Sequence, residues 1–216
     1  MYLHDYTPRL NTLTPYGALM AVFGIGITIA NRGMKYSPSH DTIMLTALRS
    51  SSPIQSLGRY YPIRSNNHDA YSRMILRLKD GRSDAILFFE PLLRAVIPNN
   101  HAIVIVPSHD PATTNSPVRQ LVQRICRSNI SLTDATRCVK RTCLRRKLSH
   151  GGDRSIAGQL SSLAIADPHV VRGKHVIIVD DVSTTGNSVH AVAHLLLKAG
   201  AASVRAITLA QTTYHA

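Results

Sequence analysis

The sequence predicts an α/β fold: a parallel sheet flanked by helices, with a small N-terminal subdomain. Three observations carry this reading. Short apolar, β-branched runs at residues 102–106, 176–179 and 203–209 have the character of strands buried on both faces. Amphipathic stretches with helix start and stop signals lie between them. Strand therefore alternates with helix from residue 102 onward, as in successive βαβ units. The 216 residues suit one such domain with an added subdomain, or two small domains, and 44% hydrophobic residues suffice for a core. With no Trp and 3 Phe, that core is mostly aliphatic. The expected division is an N-terminal subdomain at residues 1–66 and a core at residues 67–216.

The elements follow in order. Residues 10–31 carry no charge, and residues 17–30 are nearly all apolar. Val22, Ile25, Ile27 and Ile29 with Gly24 and Gly26 favour a buried strand over a helix. A signal or membrane anchor is the alternative, although Thr12, Thr14 and Pro15 leave the run short of a span. A second apolar run at 42–48 is a further strand of the same subdomain. Residues 69–79 place Met74, Ile75 and Leu78 on one helical face, and Gly81 ends the pattern. Residues 84–97 do the same with Ile86, Phe89, Leu93 and Val96, with a kink or break at Pro91. Ser116-Pro117 is an N-cap followed by proline at the first helical position, opening a helix to about residue 127. Residues 138–142 read as a strand, 145–153 as a basic loop and 155–163 as a short helix. Residues 187–199 form a helix that Gly200 closes.

Charge is lopsided, with 25 Lys and Arg against 12 Asp and Glu and a formal net charge of +13. Such a field attracts polyanions or phosphorylated ligands. It is concentrated between Arg119 and Arg154, where the only acids are Asp134 and Asp153. The three cysteines, Cys126, Cys138 and Cys143, form no CxxC, which argues against a disulfide framework or a cysteine zinc site and for reduced thiols in a cytoplasmic protein.

Residues 175–188 carry the chemistry. The apolar strand Val176-Ile177-Ile178-Val179 runs into Asp180 and Asp181. A turn of small hydroxylated residues follows, Ser183-Thr184-Thr185-Gly186, and then a helix starts. Ligands of open parallel sheets bind beyond the carboxyl ends of strands. A helix N-terminus offers free N–H groups and a positive dipole to a phosphate. Hydroxyls of Thr184, Thr185 and Ser188 add donors, and Gly186 lets the backbone come close. Two carboxylates beside a phosphate make sense if they face something else, such as vicinal ribose hydroxyls or a Mg²⁺ ion shared with the ligand. The pattern thus points to a 5-phosphorylated ribose.

The apolar block, the acid pair and the Thr-Thr-Gly, at this spacing, resemble the signature of type I phosphoribosyltransferases. Lys174 before the strand and Ala199-Gly200-Ala201 after the helix agree. The layout is most similar to the ComF-type branch, which is linked to DNA uptake. Residues 71–81, with Ile75-Leu76-Arg77-Leu78-Lys79, resemble the helix that opens that branch's core. The resemblance spans roughly residues 68–212, and the first sixty residues lack the cysteine pairs of the ComF-type zinc finger.

The resemblance implies a type I phosphoribosyltransferase-like core with a hood at residues 1–66 that would recognise the acceptor. It implies phosphoribosyl pyrophosphate or a nucleotide as ligand and Mg²⁺ as cofactor. Asp180 and Asp181 would hold the ribose hydroxyls and the metal. Val182, Ser183, Thr184, Thr185, Gly186, Asn187 and Ser188 would hold the 5′-phosphate. The loop after the first core strand, with Ser108 and His109, would take pyrophosphate through its backbone N–H groups. The basic loop at 145–154, with Lys147 and Arg154, would close over the ligand, or else form a solvated or nucleic-acid-binding surface. Two activities stay open: phosphoribosyl transfer, or a ComF-like nucleic-acid-associated or nucleotide-sensing protein that keeps the pocket. Nucleic acid on the basic residues 119–154 and a homodimer are the further partners considered, and no membrane is expected.

Overall fold

The computed structural model describes residues 18–23, 26–31, 54–63, 65, 67–144 and 155–213. The chain divides into two units, Met1–Ala47 and Leu48–Ala216. In the first, β1 (Ala18–Phe23) pairs antiparallel with β2 (Gly26–Asn31), from Ala18 opposite Asn31 to Phe23 opposite Gly26. The uncharged run read as a single strand is therefore two strands. The apolar run at 42–48 lies outside the described residues.

The second unit is built on a parallel sheet. In chain order its elements are β3 (Ile54–Ser56), β4 (Arg59–Tyr60), α1 (Ala70–Lys79), α2 (Ser83–Val96), β5 (His101–Ile105), α3 (Pro117–Ser128), β6 (Thr133–Asp134), β7 (Val139–Arg141), α4 (Ile156–Leu160), β8 (Leu163–Ile165), β9 (His175–Ser183), α5 (Asn187–Lys198) and β10 (Ser203–Thr212). The strands lie in the order β3-β10-β9-β5-β6, with β4 also on β10 and every pairing parallel. Residues 54–60, assigned from sequence to the N-terminal subdomain, thus supply two strands to the core sheet. β7 and β8 form a separate antiparallel pair.

Both faces of the sheet are covered, so its central strands are apolar throughout. Ala102, Val104, Val176 and Ile178 pack with Val189, Val192 and Leu196 of α5. Ile103, Ile105, Ile177 and Val179 alternate with them, point to the opposite face and are equally buried. The helices obey their local signals. Asp69 caps α1 by accepting from the Ser72 N–H at 2.7 Å, and Ser116 caps α3 by accepting from the Arg119 N–H at 3.3 Å. Gly81 and Gly200 both have φ > 0 just past helix ends, a conformation only glycine adopts cheaply. α2 runs through Pro91 without a break. The carbonyl it leaves without a helical donor is that of Leu87, which is exposed and open to water.

Two boundaries differ from expectation. The helix read at 155–163 stops at Leu160, because residues 163–165 pair with β7. The strand read at 176–179 runs to Ser183, because its pairing with β10 continues to Gln211 opposite Ser183. Asp180 and Asp181 therefore stand within a strand, and the turn begins at Thr184. The three cysteines are free. Burial, then the charge of Asp134, pushes the Cys126 thiol up to about 11. Burial, then Asp167, does the same for Cys138, up to about 11. Both are protonated and weakly nucleophilic at neutral pH. Among the described residues no helix is long and apolar enough to cross a membrane.

Candidate functional site

The site forms where β9 leaves the sheet. Asp180 and Asp181 are close enough to interact with each other, yet their other neighbours differ. Asp180 Oδ1 accepts the Asp181 N–H at 3.0 Å, and Asp181 Oδ1 accepts the Val182 N–H at 2.6 Å. Lys79, the last residue of α1, brings its Nζ to 3.5 Å from Asp181 Oδ2. Its ammonium also lies 5.8 Å from the centre of the Tyr60 ring. Asp180 is only partly exposed, and its carboxyl is held well above the usual carboxylate range. Burial is the largest cause and the adjacent Asp181 charge the next, with Lys79 opposing them. The α1 helix is pinned against the sheet by Tyr71, whose hydroxyl donates to the Leu209 carbonyl at 2.6 Å.

After the acids the chain turns at residues 184–186 and enters α5. Gly186 is the N-cap, with φ 77°, and no side chain caps the helix. The first turn of α5 directs its backbone N–H groups and the positive end of the helix dipole at this turn. A Cβ on Gly186 would lie 2.6 Å from Ile54 Cδ1. The absence of a side chain at Gly186 also leaves room for Ile54 of β3. Ser183 and Gly186 are buried, Asn187 and Ser188 half-buried, and Thr184 and Thr185 exposed. The Thr184 hydroxyl lies 2.8 Å from that of Thr212, and its carbonyl accepts from Gln211 Nε2 at 2.9 Å, so β10 braces the turn.

β5 ends beside these acids: the Val106 N–H donates to the carbonyl of Val179 at 3.2 Å. The loop with Ser108 and His109 thus starts next to Asp180. The Asp110 N–H donates to Ser108 Oγ at 3.3 Å, and Asp110 Oδ1 accepts from the Ala112 N–H at 2.8 Å, which closes the loop on itself. On its other flank is a cleft of about 170 Å³, lined by Ser108, Asp110, Arg119, Arg137, Lys140 and Arg141 among others. Lys147, Arg154 and His150 lie outside the described residues.

Asp180, Asp181, residues 182–188 and the Ser108–His109 loop are brought together at the carboxyl ends of neighbouring strands. Two residues were not singled out from sequence. Lys79 looked like an ordinary helix C-terminal cation. Arg141 looked like one of many basic residues, although the alternation of β7 puts it on the same face as buried Val139. As for a cation, the two carboxylates supply oxygen ligands crowded by like charge, which a positive ion would relieve. Among the described residues no group of three or more His, Cys, Asp or Glu could hold a metal unaided. The donor set fits a hard divalent ion that shares its coordination with ligand oxygens and water.

A parallel sheet with an acid pair and a helix N-terminus at its carboxyl edge defines an α/β architecture with its candidate site at the ends of the strands. The family model for the phosphoribosyl transferase domain matches residues 85–213, and the chain belongs to that family. The DNA utilization protein YhgH of Escherichia coli K12 is 52% identical over 42 residues, 19% of this chain and 18% of that protein. This chain therefore matches less than a fifth of that relative's length. Among solved structures, a purine phosphoribosyltransferase from Pyrococcus horikoshii is 21% identical with a TM-score of 0.35, over 71% of this chain and 77% of that one. A hypoxanthine phosphoribosyltransferase from Staphylococcus aureus is 13% identical with a TM-score of 0.35, over 68% of this chain and 70% of that one.

Proposed function

We propose that the protein binds phosphoribosyl pyrophosphate and transfers its phosphoribosyl group to an acceptor with release of pyrophosphate. One observation carries this: an acid pair in β9 leads directly into a braced turn and the N-terminus of α5, with glycine at its N-cap. The N–H groups at the start of α5 and the hydroxyls of Thr185 and Ser188 hold the 5′-phosphate. Asp180 and Asp181 accept from the ribose hydroxyls and steady positive charge developing on the sugar, the preorganised electrostatics that dominate many active sites. Lys79 keeps Asp181 oriented. The N–H groups of Ser108 and His109 face the leaving pyrophosphate, with Lys147 and Arg154 as further cations. Mg²⁺ held by Asp180 and Asp181 with ligand oxygens would offset the charge of the pyrophosphate. The N-terminal residues are the part left to recognise the acceptor. Free thiols with raised pKa suit a reducing, cytoplasmic setting.

The test is pyrophosphate release from phosphoribosyl pyrophosphate with Mg²⁺, with and without candidate bases, for wild type and Asp181→Asn. Wild type is expected to turn over, and Asp181→Asn to lose about a hundredfold or more of it, the usual scale for one electrostatic stabiliser. A wild type that neither binds nor turns over the compound would sink the enzyme reading.

A second reading is a nucleic-acid-associated protein that keeps the ribose-phosphate pocket. It is favoured by the cleft beyond the Ser108 loop, where Arg119, Arg137, Lys140 and Arg141 face a single acid, Asp110. The short match to a DNA utilization protein points the same way.

A further inference from the structure

Among the described residues Arg141 is the one arginine that is buried, only 9% exposed. Burying a guanidinium is costly unless its donors are matched. Its fork is matched in two directions. Nη1 donates to Ser162 Oγ at 2.7 Å and to Gln159 Oε1 at 3.4 Å, and both of those residues are buried at the end of α4. Nε donates to the Ser108 carbonyl at 3.1 Å and Nη2 to the Pro107 carbonyl at 3.4 Å. One rigid group therefore holds two successive carbonyls of the loop that leaves β5.

Those contacts have a consequence for the opposite edge of each peptide. The described chain has no cis peptide bond. In a planar trans unit the C=O and the next N–H point in opposite directions. Drawing the Pro107 and Ser108 carbonyls to Arg141 turns the Ser108 and His109 N–H groups away from it. The two N–H groups therefore face away from Arg141, on a loop that leaves β5 where the Val106 N–H donates to the Val179 carbonyl next to Asp180. Neither donates to a protein acceptor among the described residues. Two successive free N–H groups on one side of a chain form a concavity suited to an anion.

We propose that Arg141 is a positioning residue. Its guanidinium clamps the backbone at 107–108 so that the Ser108 and His109 N–H groups form the anion cradle for pyrophosphate. The clamp acts through backbone geometry and not through its own charge on the ligand. It deepens the proposed function and rests on that reading of the Ser108 loop.

The experiment is calorimetric titration of the full chain with magnesium pyrophosphate and, separately, with ribose 5-phosphate. It compares wild type, Arg141→Lys and Arg141→Met. Both variants are expected to bind pyrophosphate about tenfold or more weaker, the scale of lost charge-assisted hydrogen bonds, with ribose 5-phosphate affinity unchanged. Arg141→Lys keeps the charge and loses the planar fork. If it binds pyrophosphate as wild type does, the clamp is wrong. If both ligands weaken equally, Arg141 is merely structural and the proposal also fails. A wild type that binds neither ligand overturns the proposed function and the clamp with it. A wild type that binds ribose 5-phosphate alone overturns only the reading of the Ser108 loop and its clamp. Should the variants not fold, amide resonances of wild type decide. Those of Ser108 and His109 should shift on adding magnesium pyrophosphate, and unmoved resonances would refute the cradle.

Discussion

Asp180 and Asp181 are adjacent in sequence and unequal in surroundings. Asp181 has the Lys79 ammonium 3.5 Å away. Asp180 has burial and the charge of Asp181 against it, which raise its pKa. The ligand-free fold therefore keeps a proton on Asp180 that the unfolded chain has already released. Where the folded state binds more protons, stability falls as pH rises. The loss begins near the ordinary carboxylate range, around pH 4, and is complete above the raised folded value. Asp180→Asn should remove that loss. Thermal unfolding across pH should show the variant matching wild type in acid and exceeding it at neutral pH, each kcal/mol of relief giving about 2–4 °C. Equal curves at neutral pH would mean that Asp180 is not strained in the free protein. A site that is uncomfortable when empty is one a cation or sugar hydroxyls can stabilise.

At the scale of elements, the junction of β9 and α5 depends on a single backbone conformation. Gly186 has φ 77° and takes the N-cap place that Ser, Thr, Asp or Asn often fill. A side chain there would be strained by φ whatever the space, and would also meet Ile54. Ile54 Cδ1 is the tip of a flexible side chain and can shift, whereas φ cannot be relieved without moving the helix start. Gly186→Val is therefore expected to cost about 1–3 kcal/mol of stability and to weaken ribose 5-phosphate binding. Chemical denaturation and calorimetry read the two effects. Full affinity in a destabilised variant would place the phosphate elsewhere. The cap of α3 was legible as Ser116-Pro117, because a cap is made by residues a few positions apart. The true end of β9 was not, because only pairing with β10 carries that strand past the acids.

At the scale of the whole molecule, the net charge of +13 separates the two functional readings. Phosphoribosyl pyrophosphate needs a few cations near Asp180, whereas a polyanion needs a surface. If nucleic acid uses the Arg137 and Lys140 flank, single-stranded DNA affinity should fall with salt, by about 0.7 in log K per log salt for each phosphate contacted. Arg137→Glu with Lys140→Glu should flatten that slope and leave pyrophosphate release intact. Absent or salt-insensitive DNA binding would leave the enzyme reading alone.

The local chemistry of this protein was determined by sequence alone. The apolar run at 176–179, the acid pair and the Thr-Thr-Gly turn are contiguous, and contiguous residues fold into a strand, a turn and a helix start through short-range forces. The family followed from that stretch. Tertiary structure decided what depends on partners distant in the chain. It added β3 and β4 to the sheet through β10, gave Asp181 its Lys79, put Ile54 under Gly186 and sent Arg141 to the Ser108 loop. Each of these joins residues that only burial of the two faces of the sheet could bring together. That is why Asp180 and the glycine turn could be read in advance, and the residues that orient them could not.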